Sequence, residues 1–296
     1  MSEQQLDFFS DIGIGVGHPL SQNIADHTLL SAGTMDDETL IAAIPESTLV
    51  DTYSLAVEAG RRRLVAAVPA LAALCRRFAG FGTRHKVSEQ AAAIEALAMI
   101  GGRDAGRAVS EMIERAVVQG PTLQIAVSAA ARLGSTLSSN VLLRLLRDVE
   151  PSIRADACRC ARALPELILI LIDLLDDLDR RVATAAALAL GRMGRIEARP
   201  ILKGLLRDAP SEDLMEAVSS IADEECAVLL GRIARSSSVL ADAALASLEN
   251  ADHAQADAIA AAIRRLRQPP HSLSSGRAED DGSQESECVL SPGRKA

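Results

Sequence analysis

Arg199, Lys203 and Arg207 stand at i, i+4 and i+8, a spacing that puts three cations on one face of a helix. An aligned row of positive charge attracts carboxylate-bearing partners. Arg107, Arg144, Arg147, Arg232 and Arg235 fall on comparable segments elsewhere in the chain. These eight residues form the candidate partner-binding set. The competing reading is a solvated helix face with salt bridges, because Asp and Glu are nearly as numerous in the same region.

Other reactive residue types lack the spacing that chemistry needs. None of His18, His27, His85, His253 and His271 lies three or four residues from another His or a Cys, so no zinc-site spacing exists. Cys75, Cys158, Cys160, Cys226 and Cys288 contain no CxxC pair, and most sit in apolar helical contexts, where a thiol acts as a small hydrophobe. Asp173, Asp176, Asp177 and Asp179 bring carboxylates together beside Arg180 and Arg181. They span a helix end and a turn, where exposed N–H groups call for such acceptors. Gly13, Gly15 and Gly17 fit neither phosphate-loop spacing. The expectation is a protein with no catalytic residues, no metal and no cofactor.

The elements that position the cations repeat. Counting from Gly101, Gly134, Arg162, Gly191, Ala222 and Glu249, the intervals are 33, 28, 29, 31 and 27 residues. Five places before each stands alanine: Ala96, Ala129, Ala157, Ala186, Ala217 and Ala244. One place before stand Ile100, Leu133, Ala161, Leu190, Ile221 and Leu248. Steps of four follow one helix face, and a recurrent small residue marks the close approach of another helix. A period near thirty predicts a solenoid. First helices are expected near 87–100, 121–133, 151–163, 180–190, 211–221 and 238–248. Second helices are expected near 104–118, 138–147, 165–176, 196–207, 224–235 and 254–267. The glycines Gly101, Gly102, Gly134 and Gly191 read as helix terminators, and Pro121 and Pro151 as first-turn residues.

Three second helices end alike, in Leu145-Leu146-Arg147-Asp148, Leu174-Leu175-Asp176-Asp177 and Leu205-Leu206-Arg207-Asp208. The combination of LLxD, a short turn, a V/I-x-x-x-A helix and a closing LG resembles HEAT repeats of the short bacterial kind, also found in phycobiliprotein lyases. In that family an Arg often follows the Val or Ile; Ile153-Arg154 keeps it, whereas Val182-Ala183 and Ile125-Ala126 do not. The resemblance covers roughly residues 86–267. It implies an all-α, right-handed α-solenoid of HEAT-like helix pairs, with second helices lining the concave surface. It also admits a lyase-like or chaperone role in attaching a cofactor to another protein. The His-Glu pairs of iron-using HEAT-like hydroxylases are missing from the sequence.

Composition sets the boundaries. The formal net charge is -9, spread as -10 over residues 1–60, +3 over 61–267 and -2 over 268–296. The chain divides into an acidic N-terminal arm (1–35), an atypical helical cap (36–85) with helices near 37–44, 47–59 and 61–78, a solenoid (86–267) and a C-terminal tail (268–296) rich in Pro, Ser and Gly. A weakly basic array with no Trp and few aromatics disfavours nucleic acid. The longest apolar run, Leu64 to Cys75, contains Pro69 and is too short to span a bilayer. With odd cysteines and no leader pattern, a cytoplasmic location is expected. The functional expectation is a non-enzymatic adaptor binding a protein or peptide, acidic in character, along its concave face, with the acidic arm as an intramolecular competitor.

Overall fold

A computed structural model describes residues 32–236 and 238–267. The Gly13–Gly17 run, Phe8, Phe9, His18, His27, most of the acidic arm and the C-terminal tail lie outside the described residues. Fifteen α-helices and three short 3-10 turns account for the ordered elements among them.

The helices run α1 (Asp37–Ala43), α2 (Leu49–Arg61), α3 (Val68–Arg77), α4 (Ser88–Ile100), α5 (Gly102–Glu114), α6 (Gly120–Arg132), α7 (Ser139–Leu145), α8 (Pro151–Cys160), α9 (Pro165–Asp173), α10 (Arg180–Arg192), α11 (Arg199–Asp208), α12 (Glu212–Ser219), α13 (Glu224–Ala234), α14 (Ala241–Asn250) and α15 (Ala254–Arg267). The expected helix pairs are all present, and boundaries differ by a few residues, as fraying ends do. The segment expected as one helix from Arg61 to Phe78 breaks at Arg63, which turns to a φ of 52°.

The alanine stripe explains the packing. Ala96, Ala129, Ala157, Ala186, Ala217 and Ala244 are all buried, and each first helix packs on the first helix of the next unit. That row continues backward to α2, which packs along α4. Gly60 makes the approach possible: a Cβ there would lie 3.3 Å from the Ala96 Cα and 3.1 Å from Met99.

Gly191 requires a correction. α10 runs through it to Arg192, and the left-handed residue that follows the helix is Gly194, with φ 72°. A Cβ on Gly191 would come within 2.7 Å of Leu202 Cδ1 and 2.8 Å of the Ala217 carbonyl. Its role is therefore close packing against α11 and α12. Gly101, Gly102 and Gly134 do adopt positive φ.

The two rows are spaced differently. First helices are in contact at every step from α2 to α14, whereas α5 barely touches α7 and α9 barely touches α11. Alanine and glycine let helix axes approach, and bulkier seams hold them apart within the usual 8–10 Å range. A two-row array bends toward its closer-spaced row. The first helices therefore form the more closely packed row, termed the inner row, and the second helices the more open outer row.

Candidate interaction surface

The outer row carries the eight cations singled out in the sequence, and the structure uses three of them internally. Lys203 Nζ lies 2.6 Å from Asp223 and 2.8 Å from Glu225. Arg199 lies 3.7 Å from Asp223 and donates from Nε to the Ile221 carbonyl at 2.9 Å, and Arg207 pairs with Glu225. The i, i+4, i+8 row thus forms a ladder from α11 to the start of α13. Hydrogen bonding to Asp223, then Glu225, raises the Lys203 pKa. Asp223 also caps α13, accepting from the Cys226 N–H at 3.0 Å. Against its burial, Lys203 and the Cys226 N–H hold its carboxyl well below the usual carboxylate range.

The other five are exposed. Arg107 sits 3.7 Å from Asp104, while Arg144, Arg147, Arg232 and Arg235 make no ion pair among the described residues. With Arg199, Lys203 and Arg207 held by Asp223 and Glu225, the eight are not equally available to a partner.

The inner row was passed over at the sequence level because its alanines read only as packing. Its open face nevertheless carries a pattern. On α10, Arg181, Thr184, Leu188 and Arg192 stand at i, i+3, i+7 and i+11 and are partly or fully exposed, hence on one face. Neighbouring exposed or half-exposed residues are Glu95 and Met99 on α4, Gln124, Ser128 and Arg132 on α6, Arg159 on α8, and Glu212 and Glu216 on α12. Two grooves follow these residues. One, of about 450 Å³, crosses α4, α6 and α8 and is lined by Glu95, Met99, Gln124, Ile125, Ser128, Arg132 and Asp156. The other, of about 360 Å³, crosses α8 and α10 between Arg159, Arg180, Arg181, Thr184 and Leu188.

Local electrostatics fix several of these groups. Burial pushes the Glu95 carboxyl up, with Lys86 and Arg132 opposing. Arg159 pairs with Asp156 one turn earlier. Arg181 lies 2.7 Å from Asp179, which also caps α10 by accepting from the Arg181 N–H at 2.8 Å. Hydrogen bonds from Arg181 hold the Asp179 carboxyl down to about 2. Of the turn acids expected to act as acceptors, Asp177 takes the Asp179 N–H at 2.8 Å, and Asp148, which closes the first LLxD segment, takes the Glu150 N–H at 2.9 Å.

Among the described residues no group of three or more His, Cys, Asp or Glu side chains is placed to hold a metal ion. No described helix is long and apolar enough to cross a membrane.

Two rows of antiparallel helix pairs, each packed on its neighbours, define an all-α helical repeat protein. Residues 139–222 match the family model of HEAT repeats. The segment 139–222 therefore resembles HEAT repeats, and the described helices pack as a HEAT-like all-α solenoid. No curated protein matches the chain. Among solved structures, the X-ray structure of E. coli YibA is similar at 13% identity, covering 75% of this chain and 94% of that one with a TM-score of 0.40. That likeness is too loose to bear on function.

Proposed function

We propose that the protein is a non-enzymatic scaffold that binds a polypeptide along its inner, first-helix row. The observation that carries this reading is the pair of adjacent grooves over α4, α6, α8 and α10, where exposed Arg, Gln, Ser and Thr side chains alternate with Met99, Ile125 and Leu188. Polar groups set orientation and apolar ones supply buried area, the composition of a recognition surface. The outer row is the alternative: there Arg199, Lys203 and Arg207 hold internal acids, while Arg144, Arg147, Arg232 and Arg235 make no ion pair among the described residues.

Cross-linking of the full chain in native extract, read by mass spectrometry, tests this. Polypeptide cross-links are expected on α4, α6, α8 and α10. Cross-links confined to Arg144, Arg147, Arg232 and Arg235 on the outer row, or retention of no polypeptide, would overturn it.

A further inference from the structure

The sign of the charge changes twice along the inner face. Glu95 sits on α4, Arg132, Arg159, Arg181 and Arg192 on α6, α8 and α10, and Glu212 and Glu216 on α12. Asp156 and Asp179 offset part of the central charge, through Arg159 and Arg181. Arg132 and Arg180 make no ion pair among the described residues, and Arg192 meets Asp213 only at 4.0 Å. The basic centre also contains the α8–α10 groove with Leu188 at its wall.

We infer that this face docks a partner segment with a short acidic, leucine-bearing centre flanked on both sides by basic residues. The inference rests on the inner-row reading above and adds the partner's chemistry. Neighbouring helix axes are about 10 Å apart, so α6 to α10 spans about 20 Å and α4 to α12 about 40 Å. An extended chain advances about 3.3 Å per residue, so the acidic centre covers about six residues and the whole segment about twelve. Complementary charge in that order fixes register, and a reversed sign pattern meets like charge at every helix. Leu188 and Met99 supply the apolar contacts that distinguish docking from diffuse ionic attraction.

Fluorescence anisotropy on the full chain tests the inference. The probe is a labelled twelve-residue peptide with three lysines, a six-residue Glu/Leu centre and three lysines; its partner probe has every charge reversed. The first probe is expected to bind at least tenfold more tightly than the second. R159E/R181E is expected to weaken it at least tenfold, and E212K/E216K to weaken it while leaving an unflanked Glu/Leu peptide unaffected. Circular dichroism melting of each variant identifies loss of fold, and R132E with R192E serves as a second pair if R159E/R181E melts early. Equal binding of the two probes, no binding of either, or insensitivity to both arginine pairs would overturn the inference. So would concentration-dependent self-association abolished by R159E/R181E, which would make a second copy the occupant. Failure of these probes with inner-row cross-links intact refutes the partner chemistry alone; cross-links confined to the outer row refute the location as well.

Discussion

Arg154 and Asp177 join consecutive repeats through a two-pronged ion pair, with Arg154 Nε and Nη2 donating to the two carboxylate oxygens at 2.9 and 3.0 Å. The same guanidinium donates from Nη1 to the carbonyls of Asp148 and Val149 at 2.8 and 3.1 Å. One side chain on α8 therefore ties together the turns before α8 and before α10. Both partners are largely buried, with side-chain exposures of 16% and 7%.

Removing one member of such a pair leaves the other charge without compensation, at a cost of about 3–5 kcal/mol. Arg154→Ala is expected to destabilise by about that amount, read as a lower urea midpoint. Arg154→Lys retains the charge and loses the fork, so it should fall between Arg154→Ala and the parent.

Gly191 and Ala186 test the close approach of first helices. Gly191→Ala places a Cβ against Leu202 and the Ala217 carbonyl, and overpacking of this kind costs about 1–3 kcal/mol. Ala186→Leu should cost at least as much, since Ala186 is fully buried. Unchanged thermal midpoints for both variants would refute the packing role.

Ala116 offers a stabilising substitution. It follows α5 with φ 51°, a left-handed conformation that costs a non-glycine residue about 1–2 kcal/mol. Ala116→Gly is expected to raise stability by up to about 1 kcal/mol, after the entropy that glycine gives the unfolded chain. A lowered melting temperature would contradict this.

Glu58 gives an acid dependence. Hydrogen bonds from Arg61 and then Arg62 hold its carboxyl down to about 2, against the effect of burial. A carboxyl depressed in the folded state contributes stability that is present above its unfolded value near 4.5 and is lost as pH falls toward 2. Urea midpoints should therefore drop between about pH 4.5 and 2, and Glu58→Gln should flatten that slope.

Buried thiols give a chemical test. Burial pushes Cys75, Cys158 and Cys160 up to about 12 and Cys226 up to about 11. Since the thiolate is the nucleophile, peptides containing these four residues should stay unmodified by iodoacetamide at pH 8 in the native chain. In urea they should react. Native-state labelling of Cys158 or Cys160 would show that α8 opens.

The repeat itself was legible, because the alanine at minus five recurs six times and a period of 27 to 33 residues survives turn-length changes. The α2–α3 pair escaped that register because Gly60 precedes Gly101 by 41 residues. Gly191 was misread for a different reason: glycine ends helices and also admits neighbouring helices, and only the position of Leu202 and Ala217 decides between the two. The partners of Lys203 were equally hidden, since Asp223 and Glu225 follow it by 20 and 22 residues, far beyond helical i+4 reach.

By itself, then, the sequence determined the helix pairs, their order and the buried alanine seam, all of which follow from local periodicity and side-chain size. Tertiary structure decided how closely each row packs and which charges remain for a partner. Both depend on distances between helices of different repeats: the spacing of a row follows the side chains that meet at its seams, and a cation's availability depends on the acids that the next repeat brings beside it.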